Sequence, residues 1–260
     1  QLRYSHEAAQ LRAYEGRICA SFEGVTAVSD EDRDALLAAA GRARPITVIP
    51  IGVDGPALRP VQPSPGAHDV ISLAAPGWPP NAEGIAWFAR DVFPLVRRAV
   101  ADSRLTICGA NPTAELRGIG ERQPGVEVTG FVDLQPYLER AAVAIAPLRS
   151  RGGMRVALLE TLARGIPVVA TSLACAGLDL VSGEELLVAD SPSDFADAVA
   201  LLLRDRELGE RIGAAGRRRA LAHHDWRALT PAIDLVYAQM TAHPAPLADE
   251  SAAAHPLALS

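Results

Sequence analysis

The chain has 260 residues, 49% hydrophobic and 22% charged, an ordinary globular composition long enough for one large or two small domains. A net charge of −6 argues against non-specific attachment to nucleic acid or to an anionic membrane. All 25 basic residues are arginine, which excludes Schiff-base chemistry, pyridoxal phosphate enzymes and the lysine of a P-loop.

The N-terminal stretch QLRYSHEAAQLRAYEGR has no initiator Met and no signal-peptide pattern, and reads as the middle of something longer. No run approaches the ~20 apolar residues of a membrane span. Cys19, Cys108 and Cys175 are widely spaced in apolar contexts, which favours small core residues in a reducing compartment over disulfides or a zinc site. The expected location is cytoplasmic, with a peripheral place at the inner membrane face left open.

In chain order, residues 1–55 read as helix (6–20), strand (25–28), helix (30–40) and strand (46–50). Two strands and two helices bury little core, so this segment is expected to be the remnant of another α/β domain. The Pro- and Gly-rich stretch 51–66 is its linker. Asp30, Glu31, Asp32 and Asp34 match a metal-binding D-x-D spacing, but they follow Ser29 at a helix start, where Ser caps and acids suit the dipole.

From 70 to 190 short apolar runs alternate with helical patterns. The runs are VISLAA (70–75), RLTICG (104–109), VEVTG (126–130), VAIAP (143–147), PVVAT (167–171) and ELLVAD (185–190). Unbroken apolar runs alternating with helices predict a Rossmann-like, doubly wound parallel sheet over 56–240. In 81–98 the set Ile85, Phe88, Val92, Leu95 and Val96 marks one helix face, with Asn81 as the expected N-cap. Ser191 and Asp194 form a capping box for the helix carrying Phe195, Val199 and Leu202. His223, His224 and Asp225 read as a frayed helix end, and 241–260 as a disordered tail.

Ligands of open α/β sheets sit beyond the carboxyl ends of the strands, where strand order reverses. With order 3-2-1-4-5-6, loops 76–81 and 147–155 flank that crevice. Gly152 and Gly153 precede a helix starting near Met154, so backbone N–H groups and the helix dipole face a potential anion. Residues 140–159 hold Arg140, Arg149, Arg151 and Arg155 with no acid, a spot suited to a diphosphate. The alternative is a glycine turn with solvated arginines. Glu160 shares a helix face with Gly153 and Val156, so its carboxylate reaches toward the loop and suits a ribose diol; alternatively it is a surface Glu. Trp78 either shields a ligand or packs. No GxGxxG follows a strand, so a nicotinamide cofactor has no fingerprint.

These segments resemble glycosyltransferase family 4, the group 1 glycosyl transferases of GT-B fold. The likeness is carried by TVIPIGVD (47–54), APGWPPNAEGIAWFARDVFPLVR (75–97), VEVTGFVDLQPYLERAAVAIAPLR (126–149), GGMRVALLETLARGIPVVAT (152–171) and GLDLVSGEELLVAD (177–190). It covers about 20–240. The resemblance implies a nucleotide-sugar-binding C-terminal domain and an acceptor domain mostly outside this chain. It implies that Gly152, Gly153, Met154, Arg149 and Arg155 bind the diphosphate and that Glu160 holds the ribose. Backbone at Phe131 and Val132 would meet the base, and Gly77, Trp78 and Asn81 would line the donor from the other loop. Arg155 is the expected catalytic group, no metal or other cofactor is needed, and the sugar moves with retention to a glycan, lipid or small-molecule acceptor. The sequence departs from the family at Gly152, where many members carry Glu, at Ala157, where relatives with this loop carry Lys, and at Ala174 and Ala176. A non-catalytic nucleotide-sugar-binding module and a GT-B-fold sugar-nucleotide epimerase stay open as alternatives.

Overall fold

The computed structural model describes residues 2–22, 24–41, 45–64, 66–150 and 155–242. The chain divides into two compact units, one spanning Ile51–Leu229 and one joining 1–50 with the segment from 230 onward.

In the smaller unit the elements are α1 (Leu2–Ser21), β1 (Val25–Ala27), α2 (Asp30–Ala40) and β2 (Ile46–Val48), together with the part of the last helix from Thr230 onward. The strands pair in parallel, Val25 opposite Ile46. Ser29 caps α2, its Oγ accepting from the Asp32 N–H at 3.1 Å, and Gly41 closes the helix at φ 62°. The acids at 30–32 therefore serve the first turn of a helix. Helices α1 and α2 touch closely: a Cβ at Gly16 would lie 2.2 Å from the Ala39 carbonyl oxygen. The core is thin. Cys19, Ala27 and Ile46 are buried, whereas Leu11, Tyr14, Ile18 and Phe22 face outward.

The larger unit is built on six parallel strands: β3 (Asp69–Ser72), β4 (Arg104–Cys108), β5 (Val126–Gly130), β6 (Ala141–Ala146), β7 (Val168–Ala170) and β8 (Leu187–Val188). Each falls in or against one of the six apolar runs. Their order is β5-β4-β3-β6-β7-β8, all parallel. The chain winds outward from β3 to β5, returns to β6 and winds outward again. Right-handed crossovers in two directions place helices on both faces, which makes the sheet doubly wound. Val70, Ile71, Leu105, Ile107, Val143, Val168 and Val169 are buried in it.

The β3–β4 crossover is α3 (Pro79–Trp87), a π-helical turn (Phe88–Val92) and α4 (Phe93–Ala99). The wider turn adds a residue to the helical repeat. Ile85, Phe88, Val92, Phe93 and Val96 are all buried along this segment. The helix also starts earlier than expected. Trp78 takes the cap position without a side-chain cap bond, and Pro79 and Pro80 fill the first turn, where missing N–H groups cost nothing. Asn81 is inside the helix, not its cap.

The other helices are α5 (Ala114–Arg122), α6 (Gln135–Leu138), α7 (Arg155–Ala163), α8 (Ser172–Cys175), α9 (Pro192–Arg204), α10 (Arg206–His224) and α11 (Trp226–Ala242). Ser191 caps α9 as expected, accepting from the Asp194 N–H at 3.1 Å and donating to its carboxylate at 2.7 Å. Phe195 on α9 meets Trp87 edge-on at 5.7 Å and Phe88 at 5.5 Å, tying α9 to the β3–β4 crossover.

The segment read as a frayed end is a buried junction. His224 and Asp225 are buried, and His224 Nδ1 lies 3.0 Å from the Ile51 carbonyl. Val53 N–H donates to His224 O at 2.7 Å, and Trp226 N–H to Val53 O at 3.1 Å. These bonds stitch the linker to the end of α10. They explain why the larger unit is bounded at 51 and 229 rather than at the 56 and 240 read from sequence. The tail beyond 242 lies outside the described residues.

Candidate functional site

Strand order reverses between β3 and β6, and the loops leaving these strands meet at the carboxyl edge. A Cβ at Gly84 of α3 would lie 2.1 Å from the Pro147 carbonyl oxygen, so glycine is what lets the β6 loop lie on this helix. At the residue before Gly84, Glu83, the Oε2 atom accepts from Ser150 Oγ at 2.7 Å. The β4 loop joins from the other side: a Cβ at Gly77 would lie 2.6 Å from the Asn111 carbonyl oxygen, and Asn111 adopts φ 54°. Gly109 N–H donates to Gly130 O at 3.1 Å, which links the ends of β4 and β5. Loops 76–81 and 147–150 thus lie side by side at one rim.

Asn81 fixes the first loop from within. It is 5% exposed, its Nδ2 donates to Ala75 O at 3.2 Å, and its Oδ1 has no hydrogen-bond partner among the described residues. A buried, unpaired amide oxygen is costly unless something donates to it. Trp78 follows Gly77 at the rim and is 53% exposed. Phe131 emerges after β5 at 91% exposure, so packing within this unit gives it no role; Val132 beside it is half-buried.

Arg149 is held by packing. Its guanidinium sits over the Trp87 ring, 4.7 Å from the centroid, and Nη1 lies 3.4 Å from Asp190 O. Trp87 therefore carries a core aromatic cluster on one side and a cation on the other. Asp190 itself accepts from Ser172 N–H at 2.9 Å and Ser172 Oγ at 2.6 Å. Thr171 Oγ donates to Leu148 O at 2.7 Å, pinning the start of the same loop.

Arg151, Gly152, Gly153 and Met154 lie outside the described residues, as does the side chain of Arg155, whose backbone opens α7. Further along α7, Val156 and Glu160 share an exposed to half-buried face. The Glu160 carboxylate lies 3.8 Å from Arg164 Nη1, one turn toward the C-terminus. That separation is too long for a strong hydrogen bond and leaves its oxygens available.

Arg140 does not belong here. It precedes β6 at the amino end of the sheet, stacks on Tyr137 at 5.0 Å and pairs with Asp69 at 3.4 Å and Glu127 at 3.6 Å. Lying within ten residues of Arg149 placed it in one charge cluster by sequence, but a whole strand separates the two. Sequence reading also missed Glu83, Trp87, Asn111 and Asp190. The i,i+4 spacing of Glu83 and Trp87 with Gly84 between them was a legible signal for a helix edge pressed on a neighbour.

The rim offers no activated thiol among the described residues. Burial pushes the Cys108 and Cys175 thiols up to about 11, far from a thiolate at neutral pH. Among the described residues no cluster of three or more His, Cys, Asp or Glu side chains is placed to hold a metal ion.

A doubly wound sheet of this order is a Rossmann-like α/β unit, with its ligand crevice expected at the strand-order switch. Residues 68–205 match the family described as "Glycosyl transferases group 1", and the chain belongs to it. The chain is 31% identical over 232 residues to the GDP-mannose-dependent alpha-(1-6)-phosphatidylinositol monomannoside mannosyltransferase of Mycobacterium tuberculosis, covering 79% of this chain and 59% of that protein. It is 32% identical over 153 residues to the phosphatidyl-myo-inositol mannosyltransferase of Mycobacterium leprae, covering 56% of this chain and 41% of the relative. The fold is shared with a glycosyltransferase from Rickettsia africae at TM-score 0.72 and 13% identity, over 90% of this chain and 68% of that one. It is shared likewise with sucrose-phosphate synthase from Thermosynechococcus elongatus at TM-score 0.64 and 18% identity, over 84% and 58% of the two chains. This GT-B-type likeness agrees with the expected fold. The chain thus spans 59% of the length of the M. tuberculosis relative.

Proposed function

We propose that the larger unit binds a nucleoside-diphosphate sugar at the carboxyl rim, and that the protein transfers its sugar with retention of anomeric configuration. The observation that supports this most is the convergence of the β3, β4 and β6 loops at the strand-order switch, in a chain of this family. The backbone at Gly152, Gly153 and Met154, with the N-terminus of α7, receives the diphosphate. Arg155 stabilises the charge that grows on the departing diphosphate as the bond from the anomeric carbon breaks, while the acceptor hydroxyl forms the new bond and gives its proton to the departing phosphate oxygen. Arg149, fixed on Trp87, adds positive potential at the same end. Glu160 accepts from the ribose diol, and the segment at Phe131 and Val132 meets the base. Gly77, Trp78 and Asn81 close the opposite wall, with Asn81 Oδ1 able to accept a donor. No metal or other cofactor takes part. The family placement favours this reading over a binding module or an epimerase.

The name of the M. tuberculosis relative suggests GDP-mannose as donor, and the two names suggest phosphatidylinositol or its monomannoside as acceptor. Among the described residues no helix is long and apolar enough to cross a membrane. In this reading the lipid acceptor is met at the cytoplasmic face of a bilayer. Incubation with GDP-mannose or UDP-glucose and a phosphatidylinositol mannoside, followed by mass spectrometry, tests the assignment. A mannosylated lipid from GDP-mannose, and none from UDP-glucose, is expected. Transfer from UDP-glucose alone would remove the donor assignment, and binding without transfer would limit this chain to the donor half of the reaction.

A further inference from the structure

At the opposite, amino end of the sheet, a groove of about 770 Å³ opens between linker residues 60–64 and 66–68 and helices α9 and α10. That size lies within the ~300–1,000 Å³ of small-molecule sites. Its floor is apolar, made by Ala142 at the start of β6, Pro167 ahead of β7, and Leu202 and Leu203 of α9. Gly165, at φ 76°, and Gly209 keep the floor low. The rim carries three guanidinium groups, Arg204, Arg206 and Arg217, with His68 beside them, against one carboxylate, Glu210, among the described lining residues. In a chain of net charge −6 that local balance is inverted.

The arginines are oriented by the fold. Arg204 donates to Ala99 O, Arg217 Nη1 to Leu58 O at 2.7 Å, and Arg206 to Glu210 at 2.8 Å and to Pro63 O at 3.4 Å. Each guanidinium carries five N–H donors, so these contacts fix the forks and leave others to serve a ligand. The linker wall is tied as well, Val61 N–H to Arg164 O and Ser64 N–H to Glu139 O, both at 2.8 Å.

We propose that this groove is a second ligand site that takes a small amphipathic anion, its apolar chain or ring on the floor and its phosphate or carboxylate on the arginine rim. Its lining shares no residue with the carboxyl rim, so the sugar donor does not occupy it. Calorimetry on the 260-residue chain tests this with dodecyl phosphate, dodecanoic acid and inorganic phosphate, below micellar concentrations, with and without saturating GDP. The expected result is saturable one-to-one binding of either amphiphile, much weaker binding of inorganic phosphate, and no competition by GDP. Arg206→Glu should weaken the amphiphile by about tenfold or more, as loss of a charged hydrogen bond does. Ala214→Trp, filling the groove from an exposed position on α10, should abolish binding with the thermal melt unchanged. Arg218→Glu, exposed on α10 outside the groove, should leave it intact. Absence of saturable binding, displacement by GDP, equal affinity for inorganic phosphate, or equal effects of Arg206→Glu and Arg218→Glu would each overturn the proposal.

Discussion

Glu160 is the residue on which the ribose assignment turns. Its half-exposed carboxylate makes a loose 3.8 Å approach to Arg164, itself partly buried, with burial lowering the pKa of its guanidinium. An ion pair this open contributes little to stability, roughly 0–1 kcal/mol. Glu160→Ala should therefore leave the thermal midpoint nearly unchanged. It should weaken a ribonucleoside diphosphate more than the 2′-deoxy analogue, because a full diol gives the carboxylate two donors. Equal losses for the two ligands would take Glu160 out of the ribose role. Single residues were legible where chemistry is local, as at Ser29 and Ser191, whose caps need three neighbouring residues. They were not legible where meaning comes from distant partners. Arg140 looked like an anion ligand until β6 carried it away from Arg149. Asn81 looked like a cap because two prolines hid the true start of the helix.

At the scale of elements, two contacts hold the rim and the linker in place. Gly84 lets α3 lie against the β6 loop, and a methyl there would meet a backbone carbonyl at 2.1 Å. Gly84→Ala should cost about 1–3 kcal/mol, the range for overpacking, despite the better helix propensity of alanine. Urea unfolding measures this, and a neutral or stabilising outcome would show that the loops do not press as described. The second contact is His224 against the linker. Burial lowers its pKa below the ordinary 6.5, partly offset by the bond to Ile51 O; His223 and Arg219 lower it further and Asp179 opposes them. Below pH 6.5 the unfolded chain therefore takes up a proton that folded His224 resists. Stability should fall as pH drops through that value and be retained above it. His224→Ala should cost about 1–3 kcal/mol at pH 7.5 and flatten the loss seen on going to pH 5.5. An unchanged acid slope in the variant would exclude His224 as the cause. The six strands were readable because apolar runs buried on both faces have no polar alternation. The π-helical turn was not, since an added residue in the helix repeat leaves the composition of the helix unaltered.

Across the whole molecule, sheet order followed from the alternation of strands and helices, because right-handed crossovers allow few alternatives. The limits of the larger unit did not, since Val53, His224 and Trp226 meet across the length of the chain. The carboxyl rim of this sheet is proposed as a metal-independent diphosphate site. Calorimetric titration of GDP into the chain in the presence of a chelator tests it most directly, alongside Arg155→Ala. Saturable binding with the chelator present is expected, weakened by about 1.5–3 kcal/mol in Arg155→Ala, the range for hydrogen bonds to charged groups. No binding of GDP or any other nucleoside diphosphate at millimolar concentration, or binding that Arg155→Ala leaves unchanged, would rule out a diphosphate site at this rim.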